Sequence, residues 1–194
     1  MAKIILITHQ KGGVGKSTLT FNLASNLKES AKVCILDMDN QGSLLNISEL
    51  SQVPIFTSDK LNEKLKEEYD FIFIDTPPYL SNQLPKLIAI TDLIIVPTKA
   101  GILDLLAIKN TLEMIEIANR TDDTLIVFNM IKANTTLTLD ILIGLEEYKV
   151  KIANTHISDL VSFTRSVLLK GVSKDQNAQR QIDQLTKEIL LKLI

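Results

Sequence analysis

The chain has 194 residues, of which 45% are hydrophobic, and a formal net charge of −2 at pH 7. This length and composition predict a single domain, residues 1–194, that buries its own core. No apolar run is long enough to span a bilayer, and Met1 leads into a strand without a signal-peptide pattern. The one cysteine, Cys34, lies in an apolar stretch, and the two histidines are far apart. We therefore expect a cytoplasmic protein with neither disulfides nor a transition-metal site.

Strand and helix patterns alternate along the chain. Short apolar runs predict strands at residues 4–8, 33–37, 71–75, 93–97, 125–129 and 150–153. Apolar residues at helical spacing predict helices after residue 18, around 103–118, 137–145 and 160–169, and from 182 to 193. The polar stretch 48–68 is expected to hold a helix flanked by loops. Because runs such as Phe71-Ile72-Phe73-Ile74 are apolar on both faces, we predict an α/β fold, a mostly parallel twisted sheet with helices on both faces.

A glycine-rich segment joins the first predicted strand to the first predicted helix: Lys11-Gly12-Gly13-Val14-Gly15-Lys16-Ser17-Thr18. Glycines place no Cβ in the way, so successive backbone N–H groups can surround a polyphosphate at the helix N-terminus. Lys16 adds a positive charge near the β- and γ-phosphates, and Ser17 offers a hydroxyl to Mg²⁺, as in the motif G-x-x-x-x-G-K-[ST]. This chain has Gln10 where that motif has glycine, and it adds a second lysine, Lys11. The pattern predicts a nucleotide-binding loop.

Carboxylates follow two further predicted strands, at the edge where open α/β sheets bind ligands. Asp37 and Asp39 stand one residue apart, so in an extended chain their side chains share a face and look toward the Mg²⁺ and γ-phosphate region. One would orient the metal's water ligands and the other could position an attacking water. Asp75 ends the run Phe71–Ile74, where a carboxylate is placed to hold Mg²⁺, usually through water. A solvated Asp-rich turn is the alternative interpretation of residues 37–42.

Together these motifs resemble those of the ParA/MinD group of deviant Walker-A ATPases. The likeness is greatest to small ParA-type plasmid partition ATPases that lack an N-terminal DNA-reading domain, although Asn40 stands where that family usually has proline. The resemblance implies a P-loop NTPase of the deviant Walker-A type, with ATP and Mg²⁺ as cofactors. It continues less specifically through residues 92–97 and 127–129.

The resemblance also implies roles for particular residues. Lys11 would cross a nucleotide-sandwiched dimer to the partner's phosphates, Asp39 would help to activate water, and Asn129 would contact adenine. The implied catalytic residues are Lys11, Lys16 and Asp39. The nucleotide would be bound by residues 11–18 (Lys11, Gly12, Gly13, Val14, Gly15, Lys16, Ser17 and Thr18) and Asn129, and the metal by Ser17, Asp37 and Asp75.

The reaction class is then phosphoryl transfer to water, which needs positioning and charge neutralisation more than a strong base. We expect a DNA partition (segregation) ATPase in which Mg-ATP drives homodimerisation and nonspecific DNA binding, and slow hydrolysis releases the DNA. Such a protein would associate with the nucleoid. It would work with a ParB-type or ParG-type centromere-binding adaptor protein, and membrane binding is not expected.

The charge distribution supports a DNA surface. Residues 149–194 hold eight Lys or Arg against four Asp or Glu, whereas the preceding part carries a net charge of −6. Dimerisation would double any basic patch, and DNA affinity rises steeply with the number of phosphate contacts. The candidate DNA-binding residues are Lys149, Lys151, Arg165, Lys170, Lys174 and Arg180. Each could equally be a lysine or arginine that merely solvates a helix.

Two other functions compete with partition. A MinD-like, membrane-associated positioning ATPase would use residues 181–194 as an amphipathic anchor, because they carry an apolar stripe with Lys187 and Lys192. That helix lacks Phe and Trp and has few basic residues, which favours packing against the domain. A metabolic or metal-cluster enzyme with the same loop would be expected to carry functional cysteines, and Cys34 alone does not support one.

Overall fold

The computed structural model describes residues 1–39, 42, 44–79, 82–133 and 139–194. Within them, seven strands form one parallel sheet in the order β3-β2-β4-β1-β5-β6-β7. The strands are β1 (Lys3–Ile7), β2 (Val33–Asp37), β3 (Ile55–Thr57), β4 (Phe71–Asp75), β5 (Leu93–Thr98), β6 (Thr124–Phe128) and β7 (Lys151–Ile152).

Sheet register brings the predicted site residues together. Ile7, the last residue of β1, lies beside Asp75 of β4, and Asp75 in turn lies beside Asp37 of β2. Because all these strands are parallel, the loop after β1 and the two carboxylates emerge at one edge of the sheet. This edge is the carboxyl edge, and it lies where the strand order reverses around β1, the usual position of a ligand site in such folds.

Helices cover both faces of the sheet, and each face has its own apolar core. One core includes Ile5 and Ile7 with residues of α1 and α8, and the other includes Ile4 and Leu6 with residues of α3, α4 and α5. The helices are α1 (Lys16–Leu27), α2 (Glu63–Glu68), α3 (Leu84–Ile90), α4 (Ile102–Ile117), α5 (Leu139–Glu146), α6 (Val161–Thr164), α7 (Ser166–Leu169) and α8 (Gln176–Lys192). The predicted fold class is confirmed. Cys34 is fully buried as predicted, and burial raises the pKa of its thiol to about 12.

The C-terminal helix α8 packs on α1, the helix that follows the glycine-rich loop. Asp175 caps its first turn by accepting the N–H groups of Asn177 and Ala178, and Ile182, Leu185 and Ile189 are buried in the core that α1 shares. The apolar stripe that could have anchored a membrane is therefore used for internal packing. Of the helices in the described residues, none combines the length and apolar content needed to span a bilayer.

Several elements differ from the sequence prediction. The stretch 48–68 holds the edge strand β3 as well as the helix α2, and α3 was not predicted, because runs this short give no clear periodicity. The helix expected around 160–169 is two short helices separated at Arg165. Most other boundaries agree within one or two residues; part of the helix predicted at 137–145 lies outside the described residues.

Replacing Leu185 with alanine tests the packing of α8 on α1. Leu185 is 0% exposed, so its truncation is expected to lower the free energy of unfolding by about 3 kcal/mol. Leu191 on the same helix is 64% exposed, and Leu191→Ala is the matched control with an expected change under about 0.5 kcal/mol. Urea unfolding measures both, and equal losses would show that α8 does not pack as described.

Candidate nucleotide-binding site

The glycine-rich loop has the backbone shape that its sequence predicts. Gly13 and Gly15 have φ angles of 72° and 85°, in the left-handed region that side chains with a Cβ rarely adopt. At Gly15 an added Cβ would also collide with the side-chain amide of Asn129. Helix α1 begins directly after this residue, where the N–H of Leu19 donates to the Gly15 carbonyl oxygen at 2.9 Å. The loop therefore opens onto a helix N-terminus, whose free N–H groups favour an anion.

Asn129, the residue after β6, is hydrogen-bonded to the glycine-rich loop. Its Nδ2 donates to the carbonyl oxygen of Val14 at 2.8 Å, and the residue is only 4% exposed. This bond fixes the side-chain amide against the loop and explains why residue 15 has no room for a larger side chain. The adenine contact implied by the resemblance stays a prediction.

Lys16 is buried at the first position of α1, with 6% of its surface exposed. Its Nζ donates to the carbonyl oxygen of Lys11 at 3.1 Å. Burial lowers the pKa of Lys16, and the carboxylates of Asp75 and Asp39 act in the opposite direction. The ammonium group therefore lies within the electrostatic reach of both carboxylates, at the mouth of the loop.

Asp75 has the most unusual environment in the site, since it is a carboxylate with 0% exposure. Its Oδ1 accepts from Thr20 Oγ1 at 3.3 Å, and the Ser17 hydroxyl lies near enough to act on the pKa of this carboxyl group. Among the described residues, Oδ2 has no hydrogen-bond partner. Burial raises the pKa of Asp75 to about 7, in spite of the nearby Ser17 and Lys16.

These features fit a magnesium ion. Mg²⁺ prefers oxygen ligands and is usually held by one or two side chains together with substrate phosphates and water. A hydroxyl from Ser17 and the unpartnered oxygen of Asp75 supply such oxygens beside the loop. Within the described ranges, no group of three or more His, Cys, Asp or Glu side chains could hold a metal by itself, so the phosphates of a nucleotide would have to complete the site.

Asp37 and Asp39, which the sequence placed on one face, have different surroundings. Asp37 is buried, and its oxygens accept the N–H groups of Asp39 at 2.9 Å, Leu44 at 2.9 Å and Leu45 at 3.0 Å. It therefore connects residue 39 with residues 44 and 45, and its predicted metal role remains untested. Asp39 borders an open cleft of about 260 Å³ together with the loop, Thr76 and Pro78, so it can reach a group bound there.

Lys11 is paired within its own chain, a contact that sequence reasoning missed. Its Nζ lies 2.6 Å from Oδ1 of Asp104, near the start of α4. Asp104 is 8% exposed and is the one acidic residue in the otherwise apolar run Ile102–Leu106. That isolated carboxylate was the available signal, but its partner lies 93 positions away in sequence.

His9 is the second residue that the sequence did not assign to the site. Its Nδ1 accepts the backbone N–H of Lys11 at 2.9 Å, so it helps to set the start of the loop. Burial, and then the charge of Lys16, lower the pKa of His9 to about 4. The imidazole is therefore neutral at pH 7, with its proton on Nε2 because Nδ1 is the acceptor.

A small apolar pocket of about 40 Å³ adjoins the loop. Its lining includes Gly15, Thr18, Asn129 and Met130 together with residues 157–160 and Phe163. This volume has room for a few waters, so a flat heterocycle attached to phosphates on the loop would have to widen the pocket.

The predicted DNA-binding residues are all exposed, and they belong to different regions of the fold. Lys149 and Lys151 lie at the amino edge of the sheet, since Lys151 pairs with Leu125 near the start of β6. Arg165 and Lys170 instead belong to the α6–α7 region that packs on α1. Lys174 and Arg180 lie between this second region and α8 or on α8 itself, and the DNA contact of all six residues stays a prediction.

A family model described as the CobQ/CobB/MinD/ParA nucleotide binding domain matches residues 5–182 of this chain. The chain belongs to that family. This confirms the resemblance to the ParA/MinD group that the loop and the strand-end carboxylates indicated.

Individual relatives extend this finding. The chain is 28% identical over 207 residues to maintenance of carboxysome distribution protein A of Halothiobacillus neapolitanus, covering 96% of this chain and 95% of the relative. Its fold matches a plasmid partition protein of Borrelia burgdorferi bound to AMPPNP, with a TM-score of 0.73, 22% identity and full coverage of both chains. It also matches the septum site-determining protein MinD of Pyrococcus horikoshii in complex with Mg-ADP, with a TM-score of 0.72, 19% identity and coverage of 97% and 96%. Structures similar in fold thus hold nucleotides, in the last case with magnesium.

Replacing Asp75 with asparagine tests the buried carboxylate through pH. An unfolded aspartate has a pKa near 3.9, whereas that of Asp75 is about 7, so between these values the folded state holds a proton that the unfolded state has lost. The free energy of unfolding therefore falls as pH rises through this window, and the loss is complete above pH 7. Without metal or nucleotide, Asp75→Asn should gain stability over the wild type on going from pH 5 to pH 8, by on the order of 3 kcal/mol.

Urea unfolding in EDTA at both pH values measures this difference. His9 acts in the opposite sense, because its lowered pKa makes the folded state lose stability as pH falls from about 6.5 toward 4. Both proteins retain His9, so its contribution cancels in the comparison. A difference between wild type and variant that does not change with pH would contradict the buried, ionisable Asp75.

Proposed function

We propose that the protein is an ATPase that uses Mg-ATP to control its own dimerisation and its binding to DNA. The observation that carries this proposal is a buried oxygen of Asp75 that has no hydrogen-bond partner among the described residues and lies near Ser17 and Lys16 of the glycine-rich loop. A nucleoside triphosphate with Mg²⁺ supplies the ligands that this arrangement lacks. The family relationship and the neighbours that hold AMPPNP or Mg-ADP support the same substrate class.

The nucleotide would lie along the carboxyl edge of the sheet. Backbone N–H groups of residues 12–18 and the ammonium of Lys16 would hold the phosphates, and Ser17 and Asp75 would hold Mg²⁺, with Asp37 nearby in the register. The base would enter the apolar pocket beside Gly15, Asn129 and Met130. Magnesium, when bound, would neutralise charge on the phosphate oxygens.

Hydrolysis would rely on position and charge. Asp39 borders the cleft in front of the loop, where it can accept a hydrogen bond from a water aimed at the γ-phosphate. Lys16 and the loop N–H groups stabilise the charge that develops on the phosphoryl oxygens. Because Asp39 orients the water and need not remove its proton early, we expect slow turnover, as suits a switch.

Lys11 links the nucleotide state to dimerisation. In the single chain its ammonium is occupied by Asp104 at 2.6 Å, with 36% and 12% of the two side chains exposed. Reaching the phosphates of a second copy requires Lys11 to exchange that carboxylate for a more highly charged group. ATP would favour the exchange and hydrolysis would remove the favoured contact, so the dimer would form with ATP and separate afterwards.

DNA is the proposed partner of the dimer. Arg165 and Lys170 stand on the region that packs on α1, so their placement can respond to what the loop binds, whereas Lys149 and Lys151 lie at the opposite edge. Binding would be nonspecific and electrostatic, in the cytoplasm and on the nucleoid. A ParB-type or ParG-type adaptor would connect the protein to its cargo.

The Lys11→Ala variant is expected to retain some nucleotide binding, because Lys16 and the loop remain. It should lose ATP-dependent dimerisation and hydrolysis, because the charge that pairs with the second copy is gone. Light scattering and phosphate release measure the two properties. Lys64→Ala, which removes an exposed lysine from α2, is the matched control and should behave like the wild type. ATP dimers of normal mass in Lys11→Ala would contradict the sandwich arrangement.

Retention on DNA of unrelated sequence tests the function as a whole. The wild type is expected to bind with ATP, to bind weakly with ADP or no nucleotide, and to lose affinity as salt rises. Each lost phosphate contact lowers the slope of log affinity against log salt by about 0.9. Both copies in the dimer carry the change, so the double variant Arg165→Gln with Lys170→Gln removes four contacts and should reduce the slope by roughly 3.6, whereas Lys149→Gln with Lys151→Gln should leave it unchanged.

Lipid vesicles are tested in parallel. ATP-dependent vesicle binding without DNA binding would contradict the partition proposal and favour a MinD-like membrane switch.

A further inference from the structure

Helix α8 holds the segment 154–158 through two polar side chains. Gln181 Oε1 accepts the backbone N–H of Ser158 at 2.8 Å, and its Nε2 donates to Ser158 Oγ at 2.9 Å. About two helical turns further along α8, the carboxylate of Glu188 accepts the N–H groups of Asn154 and Thr155, both at 2.8 Å. A surface helix thus provides acceptors for three backbone N–H groups of one loop.

The other side of this segment is bonded to the residues that follow β6. The N–H of Ile157 donates to the carbonyl oxygen of Phe128 at 2.9 Å. The N–H of Ile131 donates to the carbonyl oxygen of Ile157 at 3.0 Å, and the N–H of Asp159 donates to that of Ile131 at 2.9 Å. Residues 157–160 are therefore held between the end of β6 and α8. These same residues line the apolar pocket, as Gly15 and Thr18 do.

Helix α8 also packs on α1, the helix whose first turn contributes Thr18 to the pocket lining. Its buried stripe, including Ile182 and Leu185, packs in the core that contains Leu19 and Leu23 of α1. Asn26 of α1 is hydrogen-bonded to Thr186 and Gln179 of α8 at 3.1 and 2.8 Å. One helix therefore sets the distance between the phosphate loop's helix and the far wall of the pocket.

We propose that Gln181 is a positioning residue for the base of the nucleotide, acting through the backbone of Ser158. This inference rests on the proposed function, because it assumes that the base occupies the pocket beside Gly15. Gln181 does not touch the nucleotide. It supplies the acceptor that fixes the wall against which the base lies, and it has no part in holding the phosphates.

The chemistry predicts a selective defect. Without an acceptor at position 181, the Ser158 N–H turns toward water or a new partner, and the wall of the pocket moves with it. The bonds to Phe128 and Ile131 remain, so the protein stays folded and the phosphate loop keeps its shape. Ligands with a base should lose affinity, and ligands made only of phosphate should not.

Gln181→Met tests this, because methionine matches glutamine in length but has no strong acceptor. Titration calorimetry with ATP, ADP and inorganic tripolyphosphate, each with Mg²⁺, supplies the readout. We expect the dissociation constants of ATP and ADP to rise about tenfold, equivalent to 1.4 kcal/mol, and that of tripolyphosphate to change less than twofold. In steady-state hydrolysis KM should rise while kcat stays near the wild-type value.

Two further variants on α8 separate position from general damage. Gln181→Glu keeps an acceptor for the Ser158 N–H and should restore the affinity for ATP. Gln184→Met makes the same chemical change at an exposed position of the same helix and should leave every affinity unchanged. Should Gln181→Met be too unstable to study, Gln181→Ala removes the acceptor and has high helix propensity.

The outcomes distinguish this inference from the proposed function. Equal losses of ATP and tripolyphosphate in Gln181→Met, or no loss of either, would overturn the positioning role while leaving nucleotide binding in place. Failure of the wild-type protein to bind either ligand would overturn the proposed nucleotide site, and this inference with it.

Discussion

Two buried ionisable groups of opposite sign at the carboxyl edge of the sheet, Asp75 and Lys16, are the constraint on which the rest of the site depends. Asp75 is fully buried and Lys16 nearly so, and an ionised group removed from water is stable only with good partners. Thr20 donates a hydrogen bond to one oxygen of Asp75, and the Lys16 ammonium donates to a neutral carbonyl oxygen. Among the described residues one oxygen of Asp75 is left without a hydrogen bond, and a magnesium–phosphate ligand would complete this arrangement.

The fold maintains this arrangement by register and packing. Parallel pairing places the ends of β1, β4 and β2 side by side, which fixes Asp75 between the loop and Asp37. Asp37 accepts hydrogen bonds from the N–H groups of Leu44 and Leu45. Asn129, which follows β6, donates a hydrogen bond to the glycine-rich loop. Helix α8 then joins α1 to the segment after β7. Each of these contacts limits how far the site can relax around its buried charges, so binding energy remains available for the ligand.

Much of this could be predicted from sequence, because the decisive signals are local. Apolar runs of β-branched residues located most strands, and the glycine spacing located the loop and the start of α1. Asp75 was found because it ends such a run. Gln181 was beyond sequence reasoning, since a glutamine on a helix shows nothing of the backbone N–H that it accepts from a residue 23 positions earlier.

Contacts between distant segments account for the other gaps. Neither the pairing of Lys11 with Asp104 nor the neutral His9 follows from spacing, and the separation of the basic residues depends on the direction of β7 relative to α6 and α7. The short strand β3 and helix α3 were missed because three to seven residues are too few for a periodic pattern. The helical pattern of 160–169 did not show the break at Arg165, where two short helices meet that each pack on α1.

Thermal unfolding of the wild-type protein at pH 8 tests the central claim most directly. The comparison is between Mg-ATP, ATP with EDTA, Mg²⁺ alone and no ligand. Because metal and phosphates complete one site together, Mg-ATP is expected to raise Tm by more than the separate effects of ATP and Mg²⁺ combined. Equal Tm values in all four conditions would contradict the account, because they would show that Mg-ATP does not bind and stabilise the folded site.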